Sequence, residues 1–168
     1  SSTIPDIHER TLVMVKPDGV QRGLVGKIIS RFEEKGFKLI AMKFMKADKE
    51  TVKKHRSDKP KHMIEPIFSF TVDYLTMGPV VPMVWEGHDI IRSVRRMLGK
   101  TSPLDSNPGT IRGDFGADIG RNVIHASDTN VSAEYEISLW FDENELVTWS
   151  RISDLWIYKD YLQRLDSN

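Results

Sequence analysis

The stretch RTLVMVKPDGVQRGLVGKIISRFEEKGFKLIAM, residues 10–42, holds the signals for a strand, a turn, a helix and a second strand in succession. The first seven residues are rich in β-formers and end at PDG, which is a turn signal. The following segment, LVGKIISRFEEKG, places its apolar residues on one helical face and stops at Gly36. The alternation in FKLIAMKFM, residues 37–45, then predicts a strand.

The rest of the chain continues this alternation of strands and helices. Asp48 is predicted to cap a helix that runs to about His55. A buried strand is predicted at PVVPMVWEG, residues 79–87, with a bulge or an unpaired side at Pro82. The further expected elements are helical pieces at Met63–Phe70 and Val72–Thr76, a helix at His88–Leu98, a long irregular stretch at Gly99–Gly120 and a helix at Ser132–Phe141.

The order β-α-β-α-β-α-β favours an α+β sandwich in which helices cover an antiparallel sheet. A doubly wound parallel sheet is the alternative that this order leaves open. With 168 residues, the chain is predicted to form a single domain.

Composition narrows the class of protein. Lys plus Arg equals Asp plus Glu, at 24 each, and the pI is about 7, so neither a nucleic-acid-binding nor a membrane-binding role is indicated. The chain has no cysteine, and SSTIPDIHER, residues 1–10, lacks the apolar stretch of a signal peptide. We expect a cytoplasmic protein without a membrane-spanning segment.

Several motifs fail on inspection. LGKT, residues 98–101, ends like a P-loop but has Val94 where the earlier glycine is required. The histidines lack metal-ligand spacing, so no protein-bound metal is predicted.

Phosphate-compatible side chains stand at the ends of predicted elements, and each of them alone is most simply a surface charge or a loop cap. His125, in NVIHASDTN, residues 122–130, is by its pattern either a working histidine or a structural one. Glu136 falls beside the apolar stripe of the last helix, where a carboxylate needs a partner. The phosphate-compatible residues are Lys16, Arg95, Thr101, Arg112 and Asn122.

One geometric condition follows from strand periodicity. In a regular strand Asn122 and His125 face opposite sides, because side chains alternate. Both can reach one site only if the strand ends or bends between them.

Taken together, NVIHASD, SAEYEISLWF, TLVMVKPDGVQRGLVGKII, GPVVPMVWEG and MLGKTSPLDSNPGTIRGDF resemble the sequence blocks of nucleoside diphosphate kinases. The resemblance spans roughly residues 9–141, which leaves 142–168 as a C-terminal extension. It implies a ferredoxin-like βαββαβ core with a four-stranded antiparallel sheet. It also implies transfer of a γ-phosphoryl group from a nucleoside triphosphate to a nucleoside diphosphate through a phosphohistidine.

The resemblance also implies the roles of individual residues. His125 matches the nucleophile, and Ser127 and Glu136 match the groups that orient it. Lys16, among the catalytic groups, also matches a phosphate ligand, together with Arg95, Thr101, Arg112 and Asn122. Magnesium, held mainly through the nucleotide phosphates, is the expected cofactor, and a homo-oligomer, hexamer or tetramer, is the expected assembly.

This chain departs from the family pattern where the base is held. Arg56 stands at the position of a usual tyrosine, and Ile67, in PIFSF, stands at that of a usual phenylalanine. Phe68 or Phe70 is the alternative stacking residue, and Ala126 replaces a glycine after the histidine. The altered base site keeps a second hypothesis open, a nucleotide-binding scaffold with little turnover. Nucleic-acid binding is a third hypothesis, which the neutral pI disfavours.

Overall fold

Four strands pair into one sheet, and helices pack on both of its faces. The computed structural model describes residues 6–57, 67–159 and 161–162. The strands are β1 Arg10–Val15, β2 Lys38–Met42, β3 Val81–Glu86 and β4 Ile124–Ala126. The helices in this part are α1 Pro17–Gln21, α2 Val25–Glu34, α3 Lys49–Arg56, α4 Ile67–Leu75, α5 Ile90–Leu98, α6 Ile111–Phe115, α7 Asn130–Trp140 and α8 Asp154–Ile157.

The sheet is antiparallel throughout, with strand order β2-β3-β1-β4. β1 lies at its centre and pairs with β3 from Arg10 opposite Glu86 to Val15 opposite Val81. On its other edge β1 pairs with β4, with Met14 opposite His125. This topology confirms the predicted α+β class with a helix-covered antiparallel sheet and removes the parallel alternative.

Alternate residues of β1 feed two separate cores, as strand periodicity requires. Val13 and Val15 pack with α2 and α5 on one face of the sheet. Leu12 and Met14 pack with α3, α4 and α7 on the other face. Each such fully buried side chain stabilises the fold by about 1.5–3 kcal/mol. The two cores fix the distance of α5 and α7 from β4, and both helices carry site residues.

Side-chain caps set the starts of α3 and α7. Asp48 caps α3 by accepting a hydrogen bond from Thr51 N at 2.8 Å, as predicted. Thr129 caps α7 by accepting from Ser132 N at 3.1 Å, and the Ser132 hydroxyl accepts from Thr129 N at 2.9 Å. A cap of this kind is worth about 1 kcal/mol. It sets the first turn of the helix that positions Glu136.

Pro82 has neither of the two features expected for it, a bulge or an unpaired side. Its carbonyl accepts from Lys43 N at 3.1 Å, so the side that lacks an N–H faces the end of β2. On that side Pro82 lies between the Met42–Met83 pair and the isolated bridge of Met45 with Val80. The irregularity of the β2–β3 pairing lies elsewhere, between Leu39 and Ala41.

Two further segments differ from their predictions. The segment 99–120, expected to be irregular, contains α6 and a 3₁₀ turn at Pro103–Asp105. The two helical pieces predicted at Met63–Phe70 and Val72–Thr76 belong to one helix, α4, within the described residues. Residues 63–66 lie outside the described part.

The C-terminal extension packs on its own chain along β2. Val147 N donates to Ile40 O at 3.1 Å, and Trp149 Nε1 donates to Leu39 O at 2.8 Å. Tyr158 reaches the turn before α5, where its hydroxyl accepts from His88 N at 3.3 Å. Trp156 remains 89% exposed. No helix in the described segments has the length and apolar character needed to cross a membrane.

Candidate active site

A cavity of about 180 Å³ lies beside the end of β1 and the start of β4. It gathers side chains from separate parts of the chain, between Lys16 and Glu136. The predicted residues that line it are Lys16, Arg95, Thr101, Arg112, Asn122, His125 and Glu136, and they are joined there by His55, Arg56, Ala126 and Asp128.

A turn at Val123 allows Asn122 and His125 to share this cavity. Ile124 N donates to Asn122 O at 2.9 Å, which closes a turn of three residues around Val123. Val123 has a φ of 76°, a left-handed conformation that is costly for a β-branched residue. β4 begins only after this turn, so the strand alternation that would separate the two side chains does not apply.

Bonds from three other elements hold the turn in place. Lys16 N donates to Val123 O at 2.9 Å, and Val123 N donates to Asp18 Oδ2 at 3.0 Å. The buried guanidinium of Arg112 donates to Asn122 O at 3.1 Å and to Ile124 O at 2.7 Å. The strained residue Val123 is therefore held through both its backbone N–H and its backbone C=O.

His125 is bonded to Glu136, which α7 brings under β4 from the buried side. The Nε2 atom of the ring contacts Oε1 of the carboxylate, and only 4% of the Glu136 side chain is exposed. A carboxylate can only accept a hydrogen bond, so the ring proton is assigned to Nε2. Nδ1 then carries the lone pair. Within the described residues, this nitrogen has no hydrogen-bond partner.

Burial, followed by the positive charge of Lys16, lowers the pKa of His125 from 6.5 to about 3. Arg95 and Arg112 act in the same direction, whereas Asp128 opposes them. The imidazole is consequently neutral at neutral pH. A neutral ring nitrogen is a competent nucleophile.

Positive side chains surround the histidine and are themselves held in place. Lys16 Nζ donates to Asn122 Oδ1 at 2.8 Å, and Asn122 Nδ2 donates to Thr101 O at 2.9 Å. Burial and then the charge of Arg112 lower the pKa of Lys16 to about 8. Burial and then Arg95 lower the pKa of Arg112 to about 10. Cations that lower one another's pKa in this way form a site that attracts anions.

Arg95 stands at the open side of the cavity. It pairs with Asp128 at 3.0 Å, and its Nη1 atom donates to Ala126 O at 3.4 Å. Its side chain is 37% exposed, whereas that of Arg92 on the same helix is 72% exposed. The helical spacing of the buried residues Ile90, Ile91, Val94 and Leu98 puts Arg95 at the rim of the apolar face of α5 and Arg92 away from it.

Two predicted site residues are not brought to the cavity by any observed contact. The Ser127 hydroxyl accepts from Leu12 N at 3.3 Å and lies 3.4 Å from Leu12 O, so it joins β4 to β1 rather than to the ring. Ile67 begins α4, but its side chain lies outside the described residues. The Phe68 side chain does so too, and Phe70 is 74% exposed. Arg56, at the position of the usual tyrosine, does line the cavity.

His55 is a site residue that the sequence patterns did not single out. It is 6% exposed, and its ring centroid lies 4.5 Å from that of His125. Its one sequence signal is its spacing from Val52, because residues three apart share the buried face of α3.

His55, His125 and Glu136 also lie close enough to share a metal ion, with their ligand atoms within 4.8 Å of one another. The indole of Trp140 disfavours this use. Trp140 Nε1 donates to His55 Nδ1 at 3.0 Å, which places the His55 proton on Nε2, the nitrogen nearer Glu136. A metal at that nitrogen would displace the proton and break the bond to Trp140.

The sequence profile of nucleoside diphosphate kinases matches residues 9–146. The chain belongs to this family. A nucleoside diphosphate kinase from Drosophila melanogaster is 60% identical over 151 residues, which is 90% of this chain and 97% of that protein. The family's enzymes are phosphotransferases, so the predicted class of enzyme is confirmed.

Solved nucleoside diphosphate kinases share the fold as well. The structure of the Halobacterium salinarum enzyme in complex with CDP matches with a TM-score of 0.86 and 49% identity, over 90% of this chain and 99% of that one. A family member from Babesia bovis matches with a TM-score of 0.85 and 48% identity, over 89% and 99% of the two chains. The predicted ferredoxin-like core is therefore confirmed.

Proposed function

We propose that this nucleoside diphosphate kinase works by a two-step transfer in which His125 carries the phosphoryl group. The observation that supports this most directly is the state of His125. Its ring is neutral, its Nε2 atom is bonded to Glu136, and Nδ1 keeps its lone pair beside Lys16 and Arg112.

In the first step, Nδ1 attacks the γ-phosphorus of a nucleoside triphosphate. A P–N bond forms, the bond to the oxygen bridging the β and γ phosphorus breaks, and the nucleoside diphosphate leaves with that electron pair. The ring becomes cationic because Nε2 keeps its proton. Glu136 stabilises this cation through the existing contact with Nε2.

In the second step, a terminal phosphate oxygen of an acceptor nucleoside diphosphate attacks the same phosphorus. The P–N bond breaks, its electrons return to Nδ1, and a nucleoside triphosphate is released. Charge on the transferring group is spread over its oxygens, so positioning and positive charge provide most of the catalysis. Lys16, Arg95 and Arg112 supply that charge.

Lys16, Arg95, Thr101, Arg112 and Asn122 are proposed to hold the phosphates and the sugar. Asn122 and Lys16 are already joined by a hydrogen bond, so these two side chains lose less conformational freedom when a nucleotide binds. The structure of the Halobacterium salinarum relative is described as a complex with CDP, which supports a nucleotide substrate here.

Magnesium is proposed to arrive with the nucleotide. The two carboxylates at the cavity are engaged, Asp128 with Arg95 and Glu136 with His125, so the described residues fit a metal held by phosphate oxygens rather than by a protein cage. When bound, magnesium would neutralise part of the charge of the triphosphate.

A homo-oligomer and a cytoplasmic location are also proposed, from family resemblance. The exposed Trp156 and Ile152 in the C-terminal extension support an interface between subunits, since large exposed apolar side chains in one segment mark contact surfaces. Sedimentation equilibrium on the purified full chain tests the assembly, and a monomer would refute it.

Intact mass after incubation with magnesium-ATP tests the proposed transfer. We expect the gain of one acid-labile phosphoryl group, its absence in His125→Ala, and its discharge by GDP. Absence of the adduct in a protein that still binds ATP would contradict the proposal and leave a nucleotide-binding scaffold.

A further inference from the structure

A chain of contacts runs from Trp140 through His55 and Glu136 to His125. Trp140 Nε1 lies 3.0 Å from His55 Nδ1, and His55 Nε2 lies 3.8 Å from Oε1 of Glu136. The same oxygen contacts Nε2 of His125. The two imidazole rings meet edge to face at 76°. All of the members are buried except His125, whose side chain is 25% exposed.

The proton positions in this chain follow from the donor that begins it. An indole nitrogen can only donate, so His55 Nδ1 must accept. A neutral imidazole then carries its single proton on Nε2. One oxygen of Glu136 therefore faces two N–H groups, a bonded one from His125 and a more distant one from His55. At 3.8 Å the second is an electrostatic contact and not a hydrogen bond.

We propose that His55 is a positioning residue: its Nε2–H, directed by Trp140, stabilises the Glu136 carboxylate and moderates its attraction for the His125 proton. This rests on the proposed function, since it gives Nδ1 of His125 its role as nucleophile. Glu136 thereby keeps the proton on Nε2 of His125 without making the ring a cation before phosphate arrives.

A neutral donor suits this position better than a charged one. A lysine or arginine at residue 55 would form an ion pair with Glu136 and compete with His125 for it. Burial, and then His125, lower the pKa of His55 to about 3, so His55 supplies a dipole and no charge.

Other charged groups face the two rings and must stay unchanged in the test. From the parts of the chain packed around them, these groups are Lys16, Arg56, Arg95, Arg112 and Asp128. None of them is altered by substitutions at residue 55, so a change in His125 can be traced to His55.

Two amide variants separate the proposed role from simple packing. In His55→Asn the amide reaches the place of Nδ1, so it can accept from Trp140 but offers nothing to Glu136. In His55→Gln the amide reaches the place of Nε2, so it can donate to Glu136 but leaves Trp140 without its acceptor. His88→Asn, a histidine outside the cavity, is the matched control.

The first measurement is the protonation state of His125 in the nucleotide-free full chain. The ring ¹⁵N chemical shifts report it, and they are recorded across the pH range in which each variant is folded. We expect His55→Asn to raise the pKa of His125 by about half a unit or more. His55→Gln should stay near the wild type, although its melting temperature falls. His88→Asn should change neither quantity.

The second measurement is the rate of phosphoenzyme formation from magnesium-ATP against pH, by rapid quench. The midpoint of the acid limb of this rate profile should move to higher pH in His55→Asn by the same amount, and it should return to the wild-type pH in His55→Gln. The affinity for ATP should stay within about twofold in all variants. Equal behaviour of the two amide variants would overturn the proposal, and so would a wild-type His125 with its proton on Nδ1.

A third variant covers the case in which His55→Asn does not fold. Trp140→Phe removes the donor that directs His55, so it should also raise the pKa of His125. An unchanged His125 pKa in that variant would count against the proposal. If the wild type forms no phosphoenzyme, the proposed function fails, whereas the ring shifts still decide the role of His55.

Discussion

The guanidinium of Arg112 donates to the carbonyl of Ile124 at 2.7 Å, and thereby ties α6 to the first residue of β4. The same group reaches Asn122 O at 3.1 Å and Lys100 O at 3.2 Å. Arg112 therefore braces the strained turn at Val123 before any nucleotide is present. A residue that the family resemblance assigns to phosphate binding is also part of the structure that aims His125.

Arg112→Lys should lower the stability of the fold as well as the rate of phosphoryl transfer. A lysine cannot replace three directed bonds, and the buried carbonyls of Asn122 and Ile124 lose their donors. We expect a loss of about 2–4 kcal/mol in the free energy of unfolding, measured by urea titration. Arg92→Lys on α5, at a 72% exposed side chain, should change it by less than about 0.5 kcal/mol. Equal effects of the two substitutions would contradict the bracing role.

Glu136→Gln should slow phosphoenzyme formation while sparing nucleotide binding. The amide can still accept from Nε2 of His125, but it cannot stabilise the cation that forms. We expect a rate loss on the order of 10²-fold, with the ATP dissociation constant within a few fold. Single-turnover rapid quench measures the rate. Glu134→Gln on the exposed side of α7 is the control, and a comparable loss there would remove the assignment.

The alkaline limb of activity should report Lys16. Its pKa is lowered to about 8 by burial and by Arg112, so the free enzyme loses this positive charge as the pH rises through that value. We expect kcat/KM for the nucleoside triphosphate to fall above about pH 8. Lys16→Arg keeps the charge and should move the limb to higher pH. A limb at the same pH in both proteins would assign it to another group.

The two histidines of the cavity should make the fold sensitive to acid. Their pKa values are about 3 in the folded protein and 6.5 in the unfolded chain, so between these values only the unfolded chain takes up protons. Stability therefore falls as the pH decreases from 6.5 towards 3. The slope is at most about 1.4 kcal/mol per pH unit for each histidine.

His55→Gln isolates one of these contributions. Since glutamine does not titrate, its unfolding free energy should depend less steeply on pH than that of the wild type, by up to about 1.4 kcal/mol per unit between pH 4 and 6. Urea titrations at several pH values measure both slopes. Identical slopes would show that His55 is protonated equally in the folded and unfolded states.

Arg56→Tyr should lower the KM for nucleotides if residue 56 faces the base. A tyrosine ring adds a stacking surface, and base stacking on an aromatic side chain is worth about 1–3 kcal/mol. We expect a decrease in KM of about tenfold with kcat unchanged. Lys53→Tyr, at an exposed position of α3, is the control. An unchanged KM for Arg56→Tyr would show that Arg56 has not weakened the base site.

The elements with strong local signals were predictable from the sequence. The β-α-β start, the Asp48 cap and the face of α5 that carries Arg95 all follow from periodicity and capping, which act over a few residues. Two five-residue helices were missed because five residues make too few turns to show a period: α1, where a turn was predicted at PDG, and α6. The cap of Thr110, which accepts from Gly113 N at 3.0 Å, was the local signal for α6.

The site was predictable in its members but not in its geometry. Family resemblance placed Lys16, Arg112 and His125 together, yet the turn at Val123 is held by bonds from residues more than ten positions away. His55 was missed for the same reason, since its partners Trp140 and Glu136 lie on another helix. The predicted role of Ser127 in orienting the ring stays a prediction, because its observed bonds are to β1.

The sequence by itself determined the class of fold, the family and most of the cavity's residues, because these depend on local periodicity and on motifs read along the chain. Only the tertiary structure decided how the cavity works. The tautomer of His125, the strained turn beside it and the place of His55 all depend on contacts between distant segments. Such contacts form only when both cores have packed on β1, and no local pattern encodes their distances.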